Sequence, residues 1–236
     1  MLGNRIAVVT GATRGIGKAI ATALLERGDK VIATGTSKDG VVPEGCEYYS
    51  VDFLDTEATN EFASQLKVIK PNVLFNNAGI NKISPFKEIE VEDFERIQKV
   101  NVYAPFKLCK AVIPGMLEQN WGRIVNVSSI WGKISKEYRA SYGTSKFAID
   151  GMTAALSAEV AQHNVLVNCV APGFIDTELT REVLGEEGIA KLVEQVPARR
   201  LGTTQEIAKF AIWLAGPENT YITGQNIAID GGFTRV

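Results

Sequence analysis

A doubly wound parallel α/β sheet is the fold this chain predicts, on three observations. Short, continuously apolar runs alternate with longer amphipathic patterns along the 236 residues. A glycine-rich turn, TGATRGIG at 10–17, joins the first such run to the first helical pattern. No linker, repeat or low-complexity tract interrupts the alternation. Strands buried on both faces read as unbroken apolar runs, and helices between them imply parallel neighbours. The expectation is one domain over 1–236, a seven-stranded sheet with helices on both faces and a lid at about 174–200.

The elements follow in order. RIAVVT (5–10) is the first strand, and 15–28 an amphipathic helix closed by Gly28. KVIATG (30–35), CEYYSV (46–51) and NVLFN (72–76) are the next three strands, with a helix near 56–69 before the last of them. A helix near 91–118 leads to RIVNVS (123–128), and one from about 142 to 162 leads to VLVNCVA (165–171). Residues 174–200 are polar and helical in part, a helix lies near 204–215, and NIAID (226–230) is the last strand.

Composition excludes several classes. Formal net charge is -2 with both signs dispersed, which argues against nucleic acid and basic membrane-surface partners. No run reaches the ~18 apolar residues of a membrane span. The opening MLGNRIAVVTGA lacks a signal-peptide layout, so a cytoplasmic protein is expected. Cys46, Cys109 and Cys169 are widely separated and His163 is the only histidine, so no disulfide framework, metal site or histidine triad is expected.

The glycine turn carries the first functional signal. Gly11, Gly15 and Gly17 let backbone turn tightly and approach a ligand, and the helix that follows offers free N–H groups to a pyrophosphate. The spacing G-x-x-x-G-x-G is a relative of the usual dinucleotide fingerprint.

With TGATRGIG, the motifs NNAG (76–79), Asn101 in KVNV, VNVSS (125–129), SYGTSK (141–146), APGFIDT (171–177) and YITGQNIAIDGG (221–232) stand in order along nearly the whole chain. In them the chain resembles the short-chain dehydrogenase/reductase family, nearest its 3-oxoacyl-(acyl-carrier-protein) reductase branch, which serves fatty acid biosynthesis. The resemblance implies a Rossmann sheet of seven parallel strands, a nicotinamide cofactor and a catalytic tetrad of Asn101, Ser129, Tyr142 and Lys146.

The chemistry of that tetrad is also readable from its residue types. Tyr142 and Lys146, at i and i+4, share one helix face. Reduction of a ketone needs an acid that protonates the oxygen as hydride arrives. A free phenol ionises near ~10; a neighbouring ammonium and the positive ring of an oxidised nicotinamide both favour the phenolate. Lys146 supplies the first charge, and by resemblance it also bonds the nicotinamide ribose. A serine must hold the substrate oxygen. Ser129 lies thirteen residues before Tyr142, the family spacing, while Ser128 ends the strand facing the other way. By resemblance, Asn101 holds a water that links Lys146 to solvent. Pro105 has no N–H with which to occupy the Asn101 carbonyl.

An NAD site usually places a carboxylate after the second strand. Here Thr36 and Ser37 take that place, Lys38 follows, and no acid appears before Asp39. With Arg14 inside the glycine turn, this favours the 2′-phosphate of NADP(H). Further cofactor contacts are expected from Thr13 and Ile16 in the turn, from Asp52 (to adenine, by resemblance) with Phe53, from Asn77, Ala78 and Gly79 after the fourth strand, and from Pro172, Gly173, Ile175 and Thr177 after the sixth.

Substrate contacts are expected from Ser129, Tyr142, Trp131 and neighbouring Ile130, with lid residues. The loop WGKISKEYRAS (131–141) carries Lys133, Lys136 and Arg139, more basic than the acyl branch leads one to expect, and points toward an anionic or polar substrate. Acyl-carrier reductases often present basic residues before the fifth and sixth strands; here Arg123 stands among EQNWGR (118–123), while AQHNV (161–165) offers Gln162 and His163. The alternatives are thus a small polar carbonyl, such as a sugar or polyol, and an acyl-carrier-linked one; a non-catalytic NADP-sensing protein would have lost Tyr142 or Lys146. The helices 102–118 and 147–161 are apolar around much of their circumference, which predicts a homotetramer.

Overall fold

The computed structural model describes residues 5–236 (for Leu179 and Val183, the backbone only). The four residues that open the N-terminal stretch read above lie outside it. Seven parallel strands form one sheet: β1 (Ile6–Val9), β2 (Lys30–Gly35), β3 (Glu47–Ser50), β4 (Val73–Asn76), β5 (Gly122–Val127), β6 (Val165–Pro172) and β7 (Asn226–Ile229). Their order is β3-β2-β1-β4-β5-β6-β7. The chain reverses direction of winding between β1 and β4, so a crevice opens at their carboxyl ends, where such sheets bind ligands.

Each face of the sheet has its own core. Helices α1 (Gly15–Glu26) and α7 (Thr204–Leu214) cover one, packing Ile20, Leu24, Ile207 and Ile212 on Ala7, Val9 and Phe75. The other lies under α2 (Thr56–Ile69), α4 (Ala104–Glu118) and α5 (Ala140–Val160), where Phe62, Leu66, Leu108 and Met116 meet Val8, Leu74 and Ile124. Strand β5 is buried at every residue, its two polar members Arg123 and Asn126 included.

Local chemistry sets the ends. Asp55 caps α2 by accepting from the N–H groups of Glu57 and Ala58, and Thr203 with Glu206 forms a capping box on α7. The periodicity over 91–118 reads as one helix, but the structure divides it. Helix α3 (Val91–Gln98) passes through a π-helical turn, Lys99–Tyr103, into α4, and the N–H of Ala104 reaches back to the carbonyl of Lys99. Pro105, lacking an N–H, sits where the ladder changes register. The segment 174–200, expected as a lid, contains helix α6 (Glu178–Val193), broken at Gly185 with φ 61° and ψ 179°.

Candidate active site

The glycine turn is built for close approach. Gly11 and Gly15 have φ of +65° and +56°, the left-handed region that glycine enters without strain. A methyl on Gly17 would stand 2.2 Å from the Gly11 carbonyl and 2.4 Å from the Asn77 amide nitrogen. The start of α1 has no side-chain cap, unlike those of α2, α6 and α7. Its first N–H groups are therefore available to an anion, and they face the carboxyl end of β1. This is the cradle a pyrophosphate needs.

The turn is held by the residues that follow β4. The Asn77 amide donates to the carbonyls of Thr10 (2.9 Å) and Gly11 (3.0 Å). The Thr10 hydroxyl accepts from the N–H groups of Asn77 and Ala78, both at 3.0 Å. Thr10 was not singled out by sequence; a threonine ending a strand before the glycine turn was the only signal. Asn77 thus secures the loop with its side chain, leaving contact with a cofactor to the backbone of Asn77, Ala78 and Gly79. Thr13 packs its methyl against Gly35, and Thr177 lies 3.9 Å from where a Gly15 Cβ would be, so the ends of β2 and β6 both border the turn. Pro172 and Ile175 are buried, and Ile16 and Gly173 partly so.

At the end of β2, the side chains of Thr36, Ser37 and Lys38 are exposed, as is that of Arg14. The Ser50 hydroxyl and the Tyr48 phenol bond the carbonyls of Thr36 and Ser37, respectively, which leaves both hydroxyls for another partner. Asp52 accepts from the N–H of Leu54 at 2.9 Å and remains exposed, while Phe53 is buried in the core.

The four expected catalytic residues come from three places: the π-turn (Asn101), the segment after β5 (Ser129) and helix α5 (Tyr142 and Lys146). Lys146 is 5% exposed; its amine stands 5.4 Å over the Tyr142 ring and donates to the Val127 carbonyl at 2.8 Å. The two serines divide by their hydrogen bonds. Ser128 donates its hydroxyl to the Lys146 carbonyl at 3.3 Å. Ser129 accepts from the Trp131 N–H at 3.2 Å, and its own proton has no acceptor among the described residues, so it can be given to a substrate oxygen. Asn101, 2% exposed, uses its whole side chain: Nδ2 donates to the Ile80 carbonyl (2.9 Å) and the Ser145 hydroxyl (3.0 Å), and Oδ1 accepts from the Ile80 N–H (2.9 Å). Both of its amide protons are therefore engaged. A Cβ on Gly79 would lie 3.3 Å from Asn101 Oδ1 and 3.7 Å from Lys146 Nζ, so the loop after β4 roofs the lysine.

Two expected contacts are placed differently. Ile130 is 1% exposed and belongs to the interior. Trp131, 7% exposed, packs edge-on against Phe174 and Phe233, each 6.2 Å away, and offers little surface of its own. Arg123 is no surface cation: it is 2% exposed, stacks on Trp121 at 4.5 Å and donates to the carbonyls of Asn164 and Asn219. Burial holds its guanidinium down at about 10. It has nothing to present to an acidic carrier.

Residues 11–234 match a family model described as enoyl-(acyl carrier protein) reductase. The chain is 40% identical to a 3-oxoacyl-(acyl-carrier-protein) reductase of Vibrio cholerae over 240 residues, 98% of each. It superposes with a TM-score of 0.94, at 34% identity over 100% of this chain and 98% of the other, on a protein of Beutenbergia cavernae provisionally named an NAD(P)-dependent gluconate 5-dehydrogenase, crystallised with NADP at low occupancy. A provisionally named gluconate dehydrogenase of Agrobacterium tumefaciens gives a TM-score of 0.92 at 30% identity, over 100% and 98% of the two chains.

Proposed function

The chain belongs to the short-chain dehydrogenase/reductase family of oxidoreductases, and from that premise we propose that it reduces a ketone to a secondary alcohol with NADPH. What supports the reading is the Lys146 amine, which lies over the Tyr142 ring and bonds the Val127 carbonyl two residues before Ser129, together with Asn101 bonded to the adjacent Ser145 and an uncapped helix N-terminus after β1. Bound NADPH supplies the hydride. The Ser129 hydroxyl donates a hydrogen bond to the substrate oxygen, and the Tyr142 phenol gives that oxygen its proton as negative charge develops there. Lys146 places positive charge beside the phenol ring, which favours the phenolate left behind. The Asn101 carbonyl is the route by which a water returns the proton. Arg14, Thr36 and Ser37 bind the 2′-phosphate, and NADP in the Beutenbergia structure supports that choice. Tyr142→Phe should keep NADPH binding, read by nucleotide fluorescence, and lose about 100-fold or more in kcat. Turnover within a few-fold of wild type would overturn the assignment.

The substrate has two readings. The Vibrio relative's name favours a carrier-linked 3-oxoacyl chain. Burial of Arg123 and the gluconate dehydrogenase neighbours favour a small polar carbonyl. NADPH oxidation with 3-oxoacyl thioesters against polar ketones separates them. The working form is a cytoplasmic homotetramer on this reading. Tyr103, Phe106 and Phe147 are exposed, and a groove of about 570 Å³ lined by Val102, Tyr103, Phe106 and Met152 awaits cover on the α4–α5 face. No described helix is long and apolar enough to cross a membrane.

A further inference from the structure

We propose that Arg139 determines substrate specificity, its guanidinium binding a carboxylate carried by a short oxo acid whose ketone lies at Ser129 and Tyr142; this deepens the ketone-reductase reading and rests on it. Arg139 is the N-cap residue of α5, and its carbonyl accepts from the Gly143 N–H at 2.6 Å, which fixes its backbone one turn before Tyr142. Its guanidinium stands 5.5 Å over the Trp131 ring. That ring is locked by Phe174 and Phe233, and the Trp131 N–H is the group that holds Ser129. Arg139 is therefore tied to the same rigid piece as one substrate-binding hydroxyl and shares a helix turn with the other.

What marks the residue is that its charge is unanswered although half-buried; Arg14, Arg96, Arg199 and Arg235 also lack a carboxylate among the described residues but are exposed. Arg5, Arg27, Arg181 and Arg200 each pair with a carboxylate. The Arg139 guanidinium is half-buried, yet it has no carboxylate or carbonyl acceptor among the described residues. Burial lowers its pKa and the nearby Tyr142 raises it, so the cation is partly stripped of water and close to the phenol. Contact with an aromatic face leaves the in-plane N–H fork for a carboxylate. On the same loop Lys133 and Lys136 are exposed, and its one acid, Glu137, makes no ion pair with Arg139. A hydrocarbon acyl chain here would leave a half-desolvated cation unpaired, which is costly; an anionic substrate completes it.

The test uses oxo acids of four to six carbons and their methyl esters as substrates for NADPH oxidation. Wild type should favour acids over esters by about 10- to 100-fold in kcat/KM, the range of a charge-assisted hydrogen-bonded pair. Arg139→Met should lose far more on the acids than on the esters, so that the preference collapses chiefly through KM, and Arg139→Lys should restore part of it. Wild-type indifference between acid and ester, or equal loss on both in Arg139→Met, overturns the proposal. A parallel calorimetric titration of the NADP-loaded protein uses glutarate and dimethyl glutarate, neither of which can be reduced. Glutarate binding that Arg139→Met abolishes supports carboxylate capture even if no ketone is turned over, a result that would instead sink the reductase reading. No glutarate binding to wild type counts against Arg139 alone.

Discussion

Replacing Thr10 with valine tests how the cofactor loop is held. The side chain is 2% exposed, and the change swaps its hydroxyl for a methyl of the same shape. Two N–H groups, of Asn77 and Ala78, lose their acceptor at 3.0 Å, and the Phe75 carbonyl loses a donor at 3.3 Å. A buried donor left without a partner costs about 1–3 kcal/mol. Asn77 and Ala78 are only partly buried, so water recovers a share, and the net loss is about 2 kcal/mol. In a chain of this size each kcal/mol moves the melting temperature by about 2–4 °C, so a fall of about 4–8 °C is expected by scanning calorimetry. The Asn77 amide, freed to swing, would loosen its hold on the Thr10 and Gly11 carbonyls, and the Kd for NADPH should rise about tenfold, or 1.4 kcal/mol. Thr10→Ser keeps the hydroxyl and should retain most of the affinity. If Thr10→Val melts within about 1 °C of wild type and binds NADPH equally, the hydroxyl is not what joins β1 to β4.

Other perturbations follow from the same geometry. In Gly17→Ala the new methyl overlaps the Gly11 carbonyl at 2.2 Å, so the turn must move; NADPH affinity should fall while far-ultraviolet circular dichroism stays the same, and unaltered affinity would refute the close-approach argument. Glu206 is held down to about 2, first by Arg200 and then by the Thr203 N–H. Its support is therefore complete above its ordinary 4.5 and fades as pH falls toward 2. Glu206→Gln should melt lower than wild type at neutral pH and show a smaller drop on acidification; parallel pH curves would exclude the pair's contribution. Pro105→Ala supplies an N–H that can occupy the Asn101 carbonyl, and should change kcat and its pH profile; identical rates and profile would reject a relay through that carbonyl.

Much of the framework was legible because its signals are local. The central strands are short, largely apolar runs, and the glycine turn follows β1 directly. Tyr142 and Lys146 share a helix face wherever that helix packs. The less legible features depend on partners distant in sequence. Thr10 matters because Asn77 and Ala78 fold onto it from 67 and 68 residues away. Arg123 read as a surface cation before a strand, yet β5 is buried throughout, and Trp121 with the carbonyls of Asn164 and Asn219 takes the charge inside. The π-turn at Lys99–Tyr103 was hidden because one wider turn barely disturbs helical periodicity; Pro105 was its only trace.

That π-turn bears on the chemistry. Asn101 lies within it, and its amide holds both polar groups of Ile80 on one side and the Ser145 hydroxyl on the other. Ser145 precedes Lys146, whose amine bonds Val127 at the end of β5. Ser129 stands just beyond that strand end and is held by the Trp131 N–H. Each polar member whose hydrogen bonds are resolved is thus anchored to main-chain groups at strand ends or the loops beyond them. Main-chain anchors carry no rotamer freedom of their own, which favours a frame formed before a substrate arrives. Preorganisation of this kind assigns discrimination to groups outside the frame, and Arg139, tied to it through Trp131 yet lacking an ionic partner of its own, occupies such a place.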